Sequence, residues 1–244
     1  MKAMIFAAGL GSRLMPITKD KPKALAIVAE KSLLERAINY ISDAGFTDII
    51  INTHHFSEKI IEFLNTHHFD NVNISLSYEV ELLDTAGGLA QAKYFFDSDE
   101  DILLYNVDII TNLDLQKFIN FHKFNHADIS LAVRNRNTSR YFLFNQNNRL
   151  VGWRNKLTFE EIIYDSNSIN LNELAFSGIH IISPKILNLL GKIKKWSLTT
   201  FYLEIASSQK ILAYQDNNSY WFDCGKIETL NAASEYLKKI DEKN

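Results

Sequence analysis

The sequence predicts an α/β protein, a Rossmann-like mixed and mostly parallel sheet with helices on both faces. Three observations carry this. Apolar runs alternate with amphipathic helical patterns over roughly the first 125 residues, the sequence form of repeated strand–helix units. Most of these runs, such as DIIINT and DILLYN, are largely apolar, as strands covered on both faces are. Beyond residue 128 the pattern changes to closely spaced strands, two of them joined across the polar turn Gln146-Asn147-Asn148.

Each element has a local reason. Residues 3–8 form a short apolar strand. Ser32 is an N-cap for LLERAINYISDA, whose Leu33, Leu34, Ala37, Ile38 and Ile41 share one face, and Gly45 supplies the C-terminal stop. DIIINT (48–53) reads as a buried strand, and Ser57 opens the helix EKIIEFLN. A strand at 74–78 precedes a helix at 88–96, and a strand at 101–106 precedes a helix at 113–124. Further strands fall at 129–133, 141–145, 150–153 and 175–182. Pro184 starts a helix at its first turn, and 226–239 makes the closing helix. No repeat, linker or low-complexity segment divides the chain. The expectation is therefore one domain, 1–244, whose halves meet near residue 125.

Composition bounds the function. With 46% hydrophobic and 23% charged residues, the 244-residue chain has the make-up of a soluble globular protein. A net charge of −3 without a basic tract argues against nucleic acid as a partner. Cys224 is the sole cysteine, which excludes an internal disulfide and fits a reducing compartment. MIFAAGL is too short for a signal h-region, and no run approaches the roughly 20 apolar residues of a membrane span. A cytoplasmic protein without a membrane partner is expected.

Ligands of open α/β sheets sit beyond the carboxyl ends of the strands, and four polar segments fall there. They are GLGSRLMPITKDKPK (9–23), DTAGG (84–88), Asp108 in YNVD and Asp223 in YWFDCG. The first is neither a dinucleotide fingerprint nor a Walker loop. Leu14 stands where the former needs glycine, and Lys23 follows Pro22 rather than preceding Ser or Thr. Its glycines alone also suit a plain tight turn. Arg13 and Lys23, on a segment held extended by Pro16 and Pro22, favour a phosphate cradle in which backbone N–H groups and two cations meet a triphosphate. Asp108 and Asp223 each follow an apolar strand at that same end. Either alone suits a helix cap or a surface acid. Together, two carboxylates at a triphosphate match the hard oxygen ligands of Mg²⁺. His67 and His68 lack a third ligand for zinc, and Phe118, Phe121 and Phe124 recur at core spacing.

These segments carry a resemblance. GLGSRLMPITKDKPKAL resembles the signature G-x-G-x-R-x-x-P-x-T-x-x-x-P-K of the sugar-1-phosphate nucleotidyltransferases. TAGGLAQA is similar to their base-binding segment, and YNVD to their first metal aspartate. AFSGIHII is similar to their sugar-contacting strand, and WFDCGKIETL to their second metal aspartate with its helix. The order matches and the segments span 1–232. The resemblance implies the nucleotide-diphospho-sugar transferase fold without a β-helix extension, the short mannose- and N-acetylmuramate-1-phosphate enzymes being nearest in length. It implies Mg²⁺-dependent transfer of a nucleotidyl group from a nucleoside triphosphate to a sugar 1-phosphate, with Arg13 and Lys23 on the phosphates and Asp108 and Asp223 holding the metal. Ala8, Gly9, Gly11, Gly87 and Gln91 would face the nucleotide, and Asp84, Asn106 and Gly178 the sugar. The Glu-Lys-Pro segment that gives many relatives an acceptor-phosphate lysine is missing. GWRNK stands there instead and makes Arg154 or Lys156 the expected replacement. Cytidylyl transfer to a phosphorylated alcohol such as phosphocholine, and non-catalytic sugar-nucleotide binding, are the alternatives.

Overall fold

A computed structural model describes residues 1–96, 99–164 and 170–242. The first half contains β1 (Lys2–Phe6), a small ribbon of β2 (Ile27–Val28) and β3 (Lys31–Ser32), α1 (Leu33–Asp43), β4 (Asp48–Thr53) and α2 (Ser57–Thr66). It continues through β5 (Asn73–Tyr78), α3 (Asp84–Gln91), β6 (Ile102–Asn106), β7 (Ile109–Thr111) and α4 (Leu115–Phe124). The second contains β8 (Ile129–Arg134), β9 (Arg140–Phe144), β10 (Leu150–Asn155), β11 (Glu161–Ile163) and β12 (Asn172–Ile182). It closes with α5 (Leu198–Ile205), β13 (Ile211–Gln215), β14 (Trp221–Asp223) and α6 (Ile227–Asp241). Among the described residues no helix is long and apolar enough to cross a membrane.

A ten-stranded mixed sheet runs β11-β10-β9-β12-β6-β1-β4-β5, and β8 joins β12 to β13. β6, β1, β4 and β5 are mutually parallel, which aligns their carboxyl ends on one edge. β12 enters antiparallel to β6, and the β9–β10–β11 meander is antiparallel throughout. The change of pattern after residue 128 is this change of strand direction.

The period of two along β1 explains the unbroken apolar runs. Ala3, Ile5 and Ala7 join Ile49, Ile51, Leu103 and the buried faces of α1, α4 and α6 in one core. Met4 and Phe6 join Ile50, Leu104, α3 and α5 in a second core on the opposite face. Local signals act as anticipated at several ends. Ser32 Oγ accepts from Glu35 N at 3.0 Å, and Gly45 takes φ +90° beyond α1.

Other boundaries move. The helix expected at 88–96 begins at Asp84 and gives way to a 3-10 turn at Ala92–Phe95. Two glycines in its first turns lower local helix propensity and hide it, while tertiary contacts hold it. Pro184 opens a 3-10 turn, Pro184–Leu189, rather than an α-helix. Helix α5 escapes the sequence reading because its Thr, Phe, Tyr and Ile residues are poor helix formers, yet Ser197 Oγ caps Thr200 N at 3.1 Å. Phe118 is buried as core and Phe121 packs on Tyr214, but Phe124 is exposed.

Candidate active site

The loop after β1 owes its shape to Gly11. Its φ is +66°, and a Cβ there would stand 2.9 Å from Lys23 Cβ and 3.0 Å from Thr18 Cγ2. Thr18 Oγ1 donates to the Gly11 carbonyl at 2.9 Å, and buried Leu14 pins the turn to the core. The loop thereby folds back so that Lys23 Nζ donates to the Asp108 carboxylate. Asp108 follows β6, and β7 after it pairs antiparallel with β14, setting Asp223 opposite Ile109. Cys224 N donates to the Asp108 carbonyl at 2.8 Å. Two aspartates 115 positions apart in sequence are thus brought side by side by a ribbon of two three-residue strands.

That proximity is electrostatically unfavourable. Burial raises the Asp223 carboxyl above the usual range and the neighbouring Asp108 charge adds to it, while the Gly225 amide, Lys23 and Arg13 oppose the rise. Asp223 Oδ1 accepts from Gly225 N at 2.9 Å. A Cβ on Gly225 would lie 2.8 Å from Asp223 Oδ1 and 3.0 Å from an Arg13 guanidinium nitrogen. The absence of a side chain at Gly225 lets Arg13 approach Asp223, a role that the sequence reading missed. The Cys224 thiol is fully buried and pushed up to about 12, chiefly by burial, which removes it as a nucleophile.

Two cavities meet here. The smaller, about 370 Å³, is lined by Ala8, Gly9, Lys23, Asn52, Glu79 and Lys195 among others. The larger, about 770 Å³, takes in Arg136, Tyr141, Trp153, Gly178, His180, Trp221 and Asp223. Asp84, Thr85, Asn106 and Asp108 line both, so they form the shared wall. A buried polar relay fixes this wall. Ala7 N donates to Asn52 Oδ1 at 2.7 Å, Asn52 Nδ2 to Glu79 Oε1 at 2.7 Å, and Leu83 N to Glu79 Oε2 at 2.9 Å. Asp84 follows with φ +60° and accepts from Thr85 N at 2.7 Å. A non-glycine residue in that region is strained by about 1–3 kcal/mol, so the surroundings must hold it there. Gly178, at φ +82° where the register of β12 shifts, leaves room for Ile109 and for Asn106.

The structure brings Ala8, Gly9, Lys23, Asp84, Asn106, Asp108, Gly178 and Asp223 to the two cavities; Arg13 is exposed and lines neither, but its guanidinium lies beside Gly225, two residues beyond Asp223. The other expected residues also line neither cavity. Gly87 is buried under Lys194 and donates toward the Trp196 carbonyl, so its backbone is engaged in packing rather than presented to a base. Gln91 Nε2 donates to the Tyr78 carbonyl at 2.6 Å and lines neither cavity. Arg154 also lines neither; Glu161 and Glu173 hold its guanidinium, and Lys156 joins Glu173 at 2.5 Å. Gly11 shapes the loop without lining a cavity. Lys195 was unforeseen. It reaches the smaller cavity because Ala86 N bonds the Trp196 carbonyl at 3.0 Å and Leu198 N bonds Thr85 Oγ1 at 2.8 Å, docking segment 194–198 on α3.

Known proteins share the family and the fold of this chain. The family model described as nucleotidyl transferase matches residues 2–240. A mannose-1-phosphate guanyltransferase of Yarrowia lipolytica is 26% identical over 250 residues, covering 100% of this chain and 66% of its own length. A rice protein described as a mannose-1-phosphate guanylyltransferase is 28% identical over 232 residues, with 93% and 62% covered. The chain thus spans slightly less than two thirds of these relatives. Among solved structures, UDP-glucose pyrophosphorylase from Acinetobacter baumanii superposes with a TM-score of 0.79 at 18% identity, covering 100% of this chain and 99% of that one. HddC from Yersinia pseudotuberculosis, complexed with GMP-PN, gives 0.77 at 22% identity, with 97% and 99% covered. These likenesses establish the fold, and the family match establishes the lineage: the chain belongs to the nucleotidyl transferase family.

Proposed function

We propose that the protein transfers a nucleotidyl group from a nucleoside triphosphate to a sugar 1-phosphate, releasing pyrophosphate. The observation that carries this is the junction of two cavities at Asp108, with Lys23 on the smaller side and Asp223 on the larger. A two-substrate reaction needs one chamber for each reactant and a charged point where they touch. The first half of the chain, to about residue 125, would hold the triphosphate, and the second half the acceptor. The named activities of the relatives are of this class.

An oxygen of the acceptor phosphate attacks the α-phosphorus in line. The new P–O bond forms as the bond from that phosphorus to the oxygen bridging to the β-phosphate breaks, and pyrophosphate carries away the electron pair. The nucleophile is already an anion, so positioning and charge neutralisation dominate. Arg13 would fork onto phosphate oxygens of the leaving group, and Lys23 would exchange its Asp108 partner for phosphate. The donor set fits Mg²⁺, since two adjacent carboxylates without a third His, Cys, Asp or Glu among the described residues leave positions for phosphate oxygens. Bound between Asp108 and Asp223, the ion would neutralise charge on the reacting phosphates. Asp84, Asn106 and Gly178 would line the acceptor's path.

One observation favours a second acceptor class. Tyr141, Phe142, Trp153, Phe176 and Trp221 wall the larger cavity, and Glu204 adds a carboxylate. Aromatic faces with a carboxylate suit a quaternary ammonium, as in cytidylyl transfer to phosphocholine. A panel of GTP, UTP, dTTP and CTP against mannose 1-phosphate, glucose 1-phosphate, N-acetylmuramate 1-phosphate and phosphocholine, read by pyrophosphate release with Mg²⁺, tests both. Release with a sugar phosphate supports the first reading, and release only with CTP and phosphocholine the second. No release from any pair would leave a non-catalytic binding role.

A further inference from the structure

The acceptor's phosphate is a dianion brought against a polyanionic triphosphate beside two carboxylates, so a cation on the acceptor side is required. Among the described residues lining the larger cavity, only Arg136 and Arg140 carry a fixed positive charge. Arg140 is exposed at the start of β9. Arg136 is half-buried just beyond β8. Its guanidinium lies 4.5 Å from the centre of the Trp221 ring. Trp221 is itself fixed, because its indole N–H donates to the Ser177 carbonyl at 2.9 Å, and it lies two residues before Asp223 on β14.

The guanidinium is under-used. Nη2 donates to the Phe176 carbonyl at 3.2 Å, while Nε is buried without a hydrogen-bond partner. No carboxylate lies within ion-pair distance of it among the described residues, in contrast to Arg154 with its two glutamates. A buried donor left unpaired is unusual in a folded protein and calls for an acceptor. Stacking on a fixed ring pre-sets the plane of the fork, which suits bidentate capture of phosphate.

We propose that Arg136 holds the acceptor's phosphate, a role that the sequence reading gave to Arg154. This rests on the two-substrate reading above. It makes Arg136 a binding residue that aims the attacking oxygen toward the Asp108–Asp223 end of the cavity.

The test follows binding as well as turnover. Mannose 1-phosphate, glucose 1-phosphate and phosphocholine are titrated against the whole chain while the indole N–H resonance of Trp221 is followed, assigned by its loss in Trp221→Phe. At least one monoester should shift that resonance, and free mannose should not. Arg136→Gln should weaken the monoester by about ten- to a hundredfold and leave GTP affinity in Mg²⁺ within about twofold, the loss expected for one charge-assisted contact. Arg136→Lys, which keeps the charge but not the fork, should fall between; it also serves if the Gln variant does not fold. Unchanged monoester affinity in the Gln or Lys variant, an equal loss of GTP, the same loss from Arg140→Gln alone, or no monoester binding by the parent would overturn the assignment. The failures are distinguishable. A parent that binds a monoester through Arg136 but releases no pyrophosphate refutes transfer only; a parent that transfers normally with Arg136→Gln refutes this role only.

Discussion

His180 gives the sharpest thermodynamic test. It stands on β12, 2% exposed, with Nδ1 at 2.7 Å from the Tyr202 hydroxyl and Nε2 without a partner. Burial pushes its pKa down from 6.5 to about 3. The native protein therefore keeps this imidazole neutral while the unfolded chain takes up a proton near pH 6.5. Stability from this group is fully present above that value and is lost as pH falls toward 3. Between pH 7 and 5 the linkage relation gives a loss of about 2 kcal/mol from His180 alone. Urea melts of the parent and of His180→Asn, whose amide can still meet Tyr202, isolate it, because the other six histidines are common to both. The parent should lose about 2 kcal/mol more than the variant over that interval. Equal losses would show that His180 protonates in the folded state and that its burial is not maintained.

Three further outcomes are expected. Asp223→Asn should lower kcat by about a hundredfold or more while its Tm stays level or rises, because burial and Asp108 already disfavour that charge; a Tm loss with normal turnover would contradict both parts. Gly225→Ala should cut kcat about tenfold or more with little change in Tm, since its Cβ must separate Asp223 from the exposed Arg13; parental kcat would remove the close approach from the mechanism. Arg154→Ala should leave the KM of the acceptor within about twofold and cost under about 1 kcal/mol in a urea melt, as an exposed ion pair does; a tenfold rise in KM would return Arg154 to the site.

The sequence was most legible where one strand and its following loop act alone. An apolar run followed by Gly9, Gly11, Arg13 and Lys23 carries most of its own geometry, because the left-handed Gly11 turns the segment and Thr18, within it, holds the turn closed. β1, β4 and β6 were legible for a similar reason, since burial on both faces writes an apolar run into each, whereas the edge strand β5 carries Ser75 and Ser77. Legibility failed where position depends on a distant segment. Gly87 and Gly88 read as part of a ligand loop, yet they are small because Lys194 presses on one and the Asn52–Glu79 pair on the other. Position along the chain points to Arg154, and the antiparallel register of β9 to β12 carries it to two glutamates. Arg136 gave no motif at all, because its significance lies in Trp221, 85 residues later. The two aspartates bridge these cases. Each was visible as an acid at a strand end, but β7 and β14, at three residues each, are too short to show a period that would have paired them. A site built from loop ends of separate strands can therefore announce its charges locally, while the charges' partners are decided by register. Lys23, Asp108 and Asp223 fall in the first group, and Arg136, Lys195 and Gly225 in the second, because each of these last three matters only through a contact with a segment distant in the chain.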